Sequence, residues 1–183
     1  AYTSILTKTN LRTAANFYRS NRPLLQQVRA RYGLPEDIAV GILTVETRLG
    51  TFLGNQNAFL TLASMAACRD LKLIWPFLDQ ERPSKARLAW AKKRMLQKSD
   101  WAYEELTALL DHAQHLGRHP VEFPGSIYGA IGIAQFMPSN IHKFGQDGDQ
   151  DGDIDLFTLE DALYSMGNYL QKHGIKPNSL RSH

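Results

Sequence analysis

A single cysteine, Cys68, stands among the 183 residues, so no disulfide can form within the chain. Its small and apolar neighbours predict a buried, inert thiol and not a catalytic one. No apolar run approaches the roughly 20 residues of a membrane span, and the polar opening from Ala1 to Asn10 lacks the core of a signal peptide. The first residue is not methionine, so a mature or trimmed chain is expected, with any membrane anchoring through a segment outside it. The period-two alternation of strands is scarce, which excludes a mainly β fold. Internal repeats and low-complexity linkers are lacking too. Charge of one sign is in short supply, the net being +3 with a pI near 9.0. One local excess, Lys85, Arg87, Lys92, Lys93, Arg94 and Lys98, carries Leu88, Ala91 and Met95 at helical spacing. It reads as the solvated side of an amphipathic helix, and no nucleic-acid partner is expected.

With 43% hydrophobic residues the chain can bury a sizeable interior, which suits one domain over 1–183. Helical signals run along most of it. Leu24, Leu25 and Val28 lead to Gly33, which can close a helix. Pro35 suits the first position of the next, expected from Glu36 to Leu49 before Gly50. Leu60 to Cys68 and Leu71 to Leu78 are shorter apolar segments, the latter ended or kinked by Pro76. Ser84 can cap the basic helix, and Asp100 a separate helix carrying Trp101, Leu106, Leu109 and Leu110. Leu159, Ala162, Leu163, Met166 and Leu170 make a continuous stripe on a final helix from Leu159 to Lys172, and the chain after Lys176 is expected to fray.

The densest chemical signal is Asp147-Gly148-Asp149-Gln150-Asp151-Gly152-Asp153-Ile154-Asp155, with carboxylates at alternate positions. In an EF-hand loop the ligands stand at positions 1, 3, 5, 7 (through the backbone carbonyl) and 9, with glycine at 6, matching Asp147, Asp149, Asp151, Asp153, Asp155 and Gly152. Position 12 should be a bidentate Glu and is Thr158. An acidic solvated turn is the plain alternative, but so many like charges repel unless a cation gathers them.

Glu46 follows Ala39 and Leu43 at helical spacing, on the flank of an apolar face formed by Ile38, Ile42, Val45 and Leu49. Nonpolar surroundings there would raise its pKa, as a general acid near neutral pH requires. A surface pairing with a cation such as Arg48 is the structural alternative. The segment Gly125 to Ser139 is rich in glycine and alanine and ends in Gln135-Phe136-Met137-Pro138-Ser139. Its glycines permit close backbone approach to a ligand or to another element, and by themselves they favour packing.

In order along the chain, Glu46-Thr47-Arg48-Leu49-Gly50, Gly125-Ser126 with Gly129-Ala130-Ile131-Gly132, Gln135-Phe136-Met137-Pro138-Ser139, the Asp-rich loop and Asn168-Tyr169 resemble the catalytic domain of the membrane-bound lytic murein transglycosylase B family, over roughly Asn21 to Ile175. The resemblance implies a mainly α, lysozyme-like fold of the goose-type lysozyme and lytic transglycosylase kind, with a small β element beside the cleft. It implies that Glu46 is the catalytic acid and base. Ser126, Gln135 and Tyr169 would line a glycan cleft, with Arg48, Phe136 and Asn168 as further substrate-binding candidates. The family's metal loop is lengthened, its closing carboxylate falling three positions later than in an EF-hand, on Asp161. The implied structural calcium would thus be held by Asp147, Asp149, Asp151, Asp153 (through its carbonyl) and Asp161. Thr158 and Asp161 are also spaced as an N-cap and its N3 partner.

The implied activity is cleavage of peptidoglycan glycan strands by a monomer in the bacterial periplasm or cell envelope. Departures from the family pattern at residues 54–59 and 71–98 bear on cleft width and glycan preference. Two other readings are a calcium-dependent, non-catalytic peptidoglycan-binding module and a lysozyme-type hydrolase with a second acid, for which Glu122 and Asp70 are candidates.

Overall fold

The computed structural model describes residues 7–74 and 84–174. The first helix, α1 (Lys8–Ser20), has no counterpart in the sequence reading, because none of its residues is fully buried and its apolar stripe is thin. Thr7 caps it, its hydroxyl accepting from Asn10 N at 3.1 Å. Then α2 (Arg22–Tyr32) ends, as expected, at Gly33 in the left-handed region (φ 75°). Pro35 is the N-cap of α3 (Glu36–Thr47), one position earlier than expected. Next come α4 (Ala58–Ala67) and α5 (Leu71–Ile74). The expected break at Pro76, the rest of that segment and the fraying end lie outside the described residues.

The basic helix and its successor are one element, α6 (Lys85–His115), 31 residues long. Ser84 caps it as expected, accepting from Arg87 N. Asp100 does not cap a second helix; it lies inside α6 and accepts a hydrogen bond from Arg69 at 2.5 Å. Aspartate in a helix interior costs only about 0.7 kcal/mol relative to alanine. No glycine or proline interrupts this stretch, and Met95, Ser99 and Ala102 bury a continuous inner face, so packing overrides the local capping signal. A 3₁₀ turn at Pro120–Glu122 follows, then α7 (Pro138–Phe144) and α8 (Leu159–Lys172), the last with the expected bounds.

The expected small sheet is an antiparallel pair, β1 (Gln56–Asn57) and β2 (Pro124–Gly125), with Gln56 opposite Gly125 and Asn57 opposite Pro124. Helix α4 packs on α6, α6 on α7, α2 on α8 and α1 on α3. The core lies among Leu25 and Val28 of α2, Ala39 and Leu43 of α3, and Leu163 and Met166 of α8, and includes Ile131 and Leu156 from the connecting segments.

Burial departs from expectation at Cys68 and along α3. Cys68 is half-buried, because it is the C-cap of α4 and not one of its inner positions. The inward face of α3 is Ala39, Val40, Leu43 and Thr47, whereas Val45 is 51% exposed. That helix is apolar on most sides, so periodicity alone cannot say which side meets the core.

Candidate functional site

The end of α3 is where the local backbone becomes unusual. Arg48, Leu49 and Gly50 all take positive φ, at 50°, 63° and 84°. Leu49 N reaches back to Leu43 O at 2.8 Å, a Schellman-type closure. Thr47, wholly buried, secures this turn: its hydroxyl donates to Ile133 O at 2.7 Å and accepts from Gly50 N at 3.0 Å. The residue after Glu46 therefore ties the end of α3 to the glycine-rich segment from 86 positions along the chain. That segment is itself pinned. Ile133 N donates to Leu156 O at 2.9 Å. Gly132 (φ 76°) lies so close to Leu156 that a Cβ would stand 2.6 Å from the Leu156 carbonyl oxygen, a place only glycine fits.

Between the end of α3, this segment, α7 and α8 lies a pocket of about 300 Å³, walled by Ile42, Ala134, Met137, Met166 and Leu170 and presenting Glu46, Gln135, Asn140 and Tyr169. Glu46 is exposed in it, so the burial expected of this side chain is not found. Its place in the last turn of α3, one position beyond the inward face, turns it to the pocket mouth while the walls around it are apolar. Among the described residues it is the only carboxylate that lines the pocket. Glu122 stands 3.7 Å from Arg118, and Asp70 accepts from Lys72 N, neither on this pocket.

Gln135 has φ 52°, a strained value for a residue with a Cβ. Its amide donates to Gly132 O at 2.9 Å and Leu53 O at 3.4 Å. Both bonds use Nε2, which leaves the amide oxygen for a ligand. Phe136 packs edge-on against Tyr169 with ring centroids 5.6 Å apart, and Phe144 meets the same tyrosine at 5.1 Å. Tyr169 is thus held as an aromatic wall.

Of the expected cleft residues, the structure brings Glu46, Gln135, Phe136 and Tyr169 together and leaves three outside the pocket wall. Ser126 Oγ accepts from Tyr128 N and Ala130 N at 3.2 and 3.1 Å, shaping the turn after β2. Arg48 swings out of the helix line in its left-handed conformation, its guanidinium 5.8 Å from the Phe52 ring centroid. Asn168 is buried and donates to Phe144 O at 3.0 Å, tying α8 to the end of α7. Sequence reasoning missed Ile42, Asn140 and Met166, which carry no motif signal beyond their helical positions. A larger apolar groove of about 520 Å³ between α1 and α3 brings few polar groups together, so the smaller pocket is the candidate site.

In the acidic loop, carboxylate oxygens of Asp147, Asp149 and Asp151 lie within 4.8 Å of one another. Such a set of hard oxygen donors fits calcium. Asp153 and Asp161 stand outside this cluster. The Asp153 side chain is 3.7 Å from His115, so its backbone carbonyl remains the donor expected of it. Asp161 is 1% exposed, and its two oxygens accept from Gly148 N at 2.7 Å and Asp155 N at 2.6 Å, drawing the ends of the loop together. Thr158 also caps α8 by accepting from Asp161 N, the other role foreseen for this pair. Burial pushes the Asp161 carboxyl above its usual pKa, against the lowering effect of those two N–H groups. Asp149 is raised as well, by local desolvation first and then by the charges of Asp151, Asp147 and Glu160.

A mainly helical fold with one pocket carboxylate beside a glutamine and an aromatic wall, braced by an acidic loop, is a lysozyme-like transglycosylase fold. The chain belongs to the family described as Transglycosylase SLT domain, whose model matches residues 1–181. It is 28% identical over 169 residues to membrane-bound lytic murein transglycosylase B of Escherichia coli (strain K12), covering 92% of this chain and 40% of that protein. It is similar to the structure of the Escherichia coli lytic transglycosylase Slt35 in complex with calcium, with a TM-score of 0.78 and 26% identity over 96% of this chain and 48% of that one. SltB3 of Pseudomonas aeruginosa in complex with NAG-anhNAM-pentapeptide is similar at TM-score 0.75 and 26% identity, over 96% and 40% of the two chains. The chain spans less than half the length of these relatives. No helix among the described residues is long and apolar enough to cross a membrane.

Proposed function

We propose that this chain is a lytic transglycosylase that cleaves the bond between N-acetylmuramic acid and N-acetylglucosamine in peptidoglycan of the bacterial envelope, with Glu46 as both acid and base. The observation that carries the reading is the solitary carboxylate: among the described residues Glu46 shares its pocket with Gln135, Asn140 and Tyr169 and with no second acid. Hydrolytic glycosidases use two carboxylates, one to protonate the leaving oxygen and one to attack carbon or activate water. A transfer that uses no water needs only one.

Glu46 protonates the bridging oxygen, and the muramoyl N-acetyl group supports the developing positive charge at C1. The resulting carboxylate takes the proton from the C6 hydroxyl of the same sugar, whose oxygen closes onto C1 as a 1,6-anhydro ring. One residue serves both steps, as microscopic reversibility allows. The nucleophile is intramolecular, so its effective concentration favours it over solvent. Gln135, fixed through Nε2, offers its carbonyl oxygen to a sugar hydroxyl or amide, and the Tyr169–Phe136 wall offers a face to a ring. Ser126, Arg48 and Asn168, outside the pocket, act through the turns they hold or at more distant sugars. The complex of SltB3 with NAG-anhNAM-pentapeptide supports this product for the present chain.

Calcium, held by Asp147, Asp149 and Asp151 with the carbonyl of Asp153, would brace the loop between α7 and α8. Each Asp161 oxygen keeps a second lone pair beside its N–H partner, so this residue can also serve as a ligand.

The test is product chemistry on purified sacculi. Intramolecular transfer yields muramic ends about 18 mass units lighter than a hydrolase gives, and unlabelled when the reaction is run in ¹⁸O water. Predominant label at the new anomeric carbon would overturn the reading in favour of a two-acid hydrolase.

A further inference from the structure

The first half of α6, from Lys85 to Ser99, contains Lys85, Arg87, Lys92, Lys93, Arg94 and Lys98 and no acidic residue. All six cations are exposed. Among the described residues none is in an ion pair, and the nearest acid along the helix, Asp100, is already matched by Arg69. Arg87, Trp90, Arg94, Lys98 and Trp101 recur at three- and four-residue spacing, so they form one stripe along the helix. A solvated face explains the charges and not the rings. Trp90 is 66% exposed, an uncommon placing for tryptophan, and Tyr128 on the turn after β2 is 53% exposed. Lys98 Nζ sits 4.8 Å from the Trp101 ring centroid and 5.4 Å from that of Tyr128, joining the helix stripe to the glycine-rich segment that continues to Gln135 in the pocket.

We propose that this stripe is a second peptidoglycan-binding surface outside the cleft, its rings lying on sugar faces and its Arg and Lys groups meeting the carboxylates of stem peptides. The proposal rests on the functional reading above. Surface tryptophan, tyrosine and arginine in alternation are the residue types that carry binding energy at interfaces. A peptide-bearing glycan is the occupant that matches both components, flat sugar faces for the rings and free carboxylates for the cations. An anionic bilayer fits less well. A helix lying in a membrane interface buries a continuous apolar face, whereas the apolar line of this half, Leu88, Ala91 and Met95, is turned toward the protein and the outer side shows isolated rings among charges.

The test uses the full chain in a Glu46→Gln background, so that strands stay whole, sedimented with intact sacculi and titrated calorimetrically with the soluble glycan strands that an amidase releases by removing the stem peptides. Trp90→Ala should weaken binding to both by roughly tenfold. Arg87→Gln/Arg94→Gln/Lys98→Gln should weaken binding to intact sacculi by a similar factor, remove the preference for intact over stripped strands, and flatten the salt dependence. With Glu46 present, both variants should keep wild-type melting temperature and wild-type turnover of a short soluble glycan. Unchanged binding to intact sacculi would overturn the proposal. So would an equal loss of turnover on the short glycan, or a loss confined to phosphatidylglycerol vesicles. A parent chain that cleaves sacculi while its variants bind unaltered overturns this surface alone; a parent that neither binds nor cleaves overturns the functional reading and the surface with it.

Discussion

Replacing Thr47 by valine should separate what holds Glu46 in place from what Glu46 does. The hydroxyl is wholly buried and serves two partners, Ile133 O at 2.7 Å and Gly50 N at 3.0 Å, and among the described residues no other hydrogen bond satisfies either group. Valine fills the same space and leaves both backbone groups unpaired. Each buried orphan costs about 1–3 kcal/mol, and the added methyl group recovers a fraction of that, so a net loss of roughly 2–4 kcal/mol is expected. Thr47→Ser keeps the hydroxyl and removes one buried methyl, at about 1 kcal/mol. A domain of this size has roughly 5–15 kcal/mol to lose, so both variants should remain folded at room temperature. Urea unfolding followed by circular dichroism should show the valine midpoint well below the serine midpoint at a common slope. Turnover per folded molecule should also fall by at least tenfold in Thr47→Val, since a displacement near 1 Å at a catalytic group costs up to about 10²-fold. A valine variant within about 0.5 kcal/mol of the parent, or a serine variant equally damaged, would refute the claim that this hydroxyl anchors the end of α3.

Glu46→Gln should lower turnover on sacculi by roughly 10²-fold or more while leaving melting behaviour unchanged; a smaller loss in purified protein would remove Glu46 as sole acid and base. Calcium at about a hundredfold excess over its dissociation constant should stabilise the fold by about 2.7 kcal/mol, or about 5–10 °C in melting temperature, and Asp147→Ala should abolish most of that gain; a melting curve indifferent to calcium and chelator would reduce the loop to an acidic turn. His112 is 3% exposed, with Nε2 unpartnered among the described residues, and burial lowers its pKa from 6.5 to about 4 against the opposing pull of Asp155. The unfolded chain therefore binds the proton first as pH falls, so stability is full above about 6.5 and declines toward 4, by roughly 3 kcal/mol in all. Urea midpoints measured across that range with calcium held saturating should decline less steeply in His112→Phe, and an unchanged slope would show that another group is responsible.

Local chemistry written in the chain determined the features that depend on a few neighbouring residues. Gly33 ends α2 because glycine takes φ 75° without strain, Ser84 starts α6 because its hydroxyl meets a free N–H, and α8 keeps its bounds from Leu159 to Lys172 because its apolar stripe is unbroken. The acidic loop was legible for the same reason, its donors being close along the chain before any folding. Motif resemblance supplied the glutamate and its partners, and four of the seven expected cleft residues do share one pocket. The other outcomes depended on contacts between distant segments. Asp100 reads as a cap until Arg69 and the inner face of α6 hold it within a longer helix. Glu46 reads as buried until the packing of α3 selects Ala39, Val40, Leu43 and Thr47 as its inward side. Asp161 reads as a loop-closing ligand or an N3 cap partner, and only folding buries it and directs the N–H groups of Gly148 and Asp155 at its two oxygens. Hydrogen bonds within a turn and periodicity within a helix are short-range, whereas burial and the choice of which face meets which are collective, and only the assembled helices settle them.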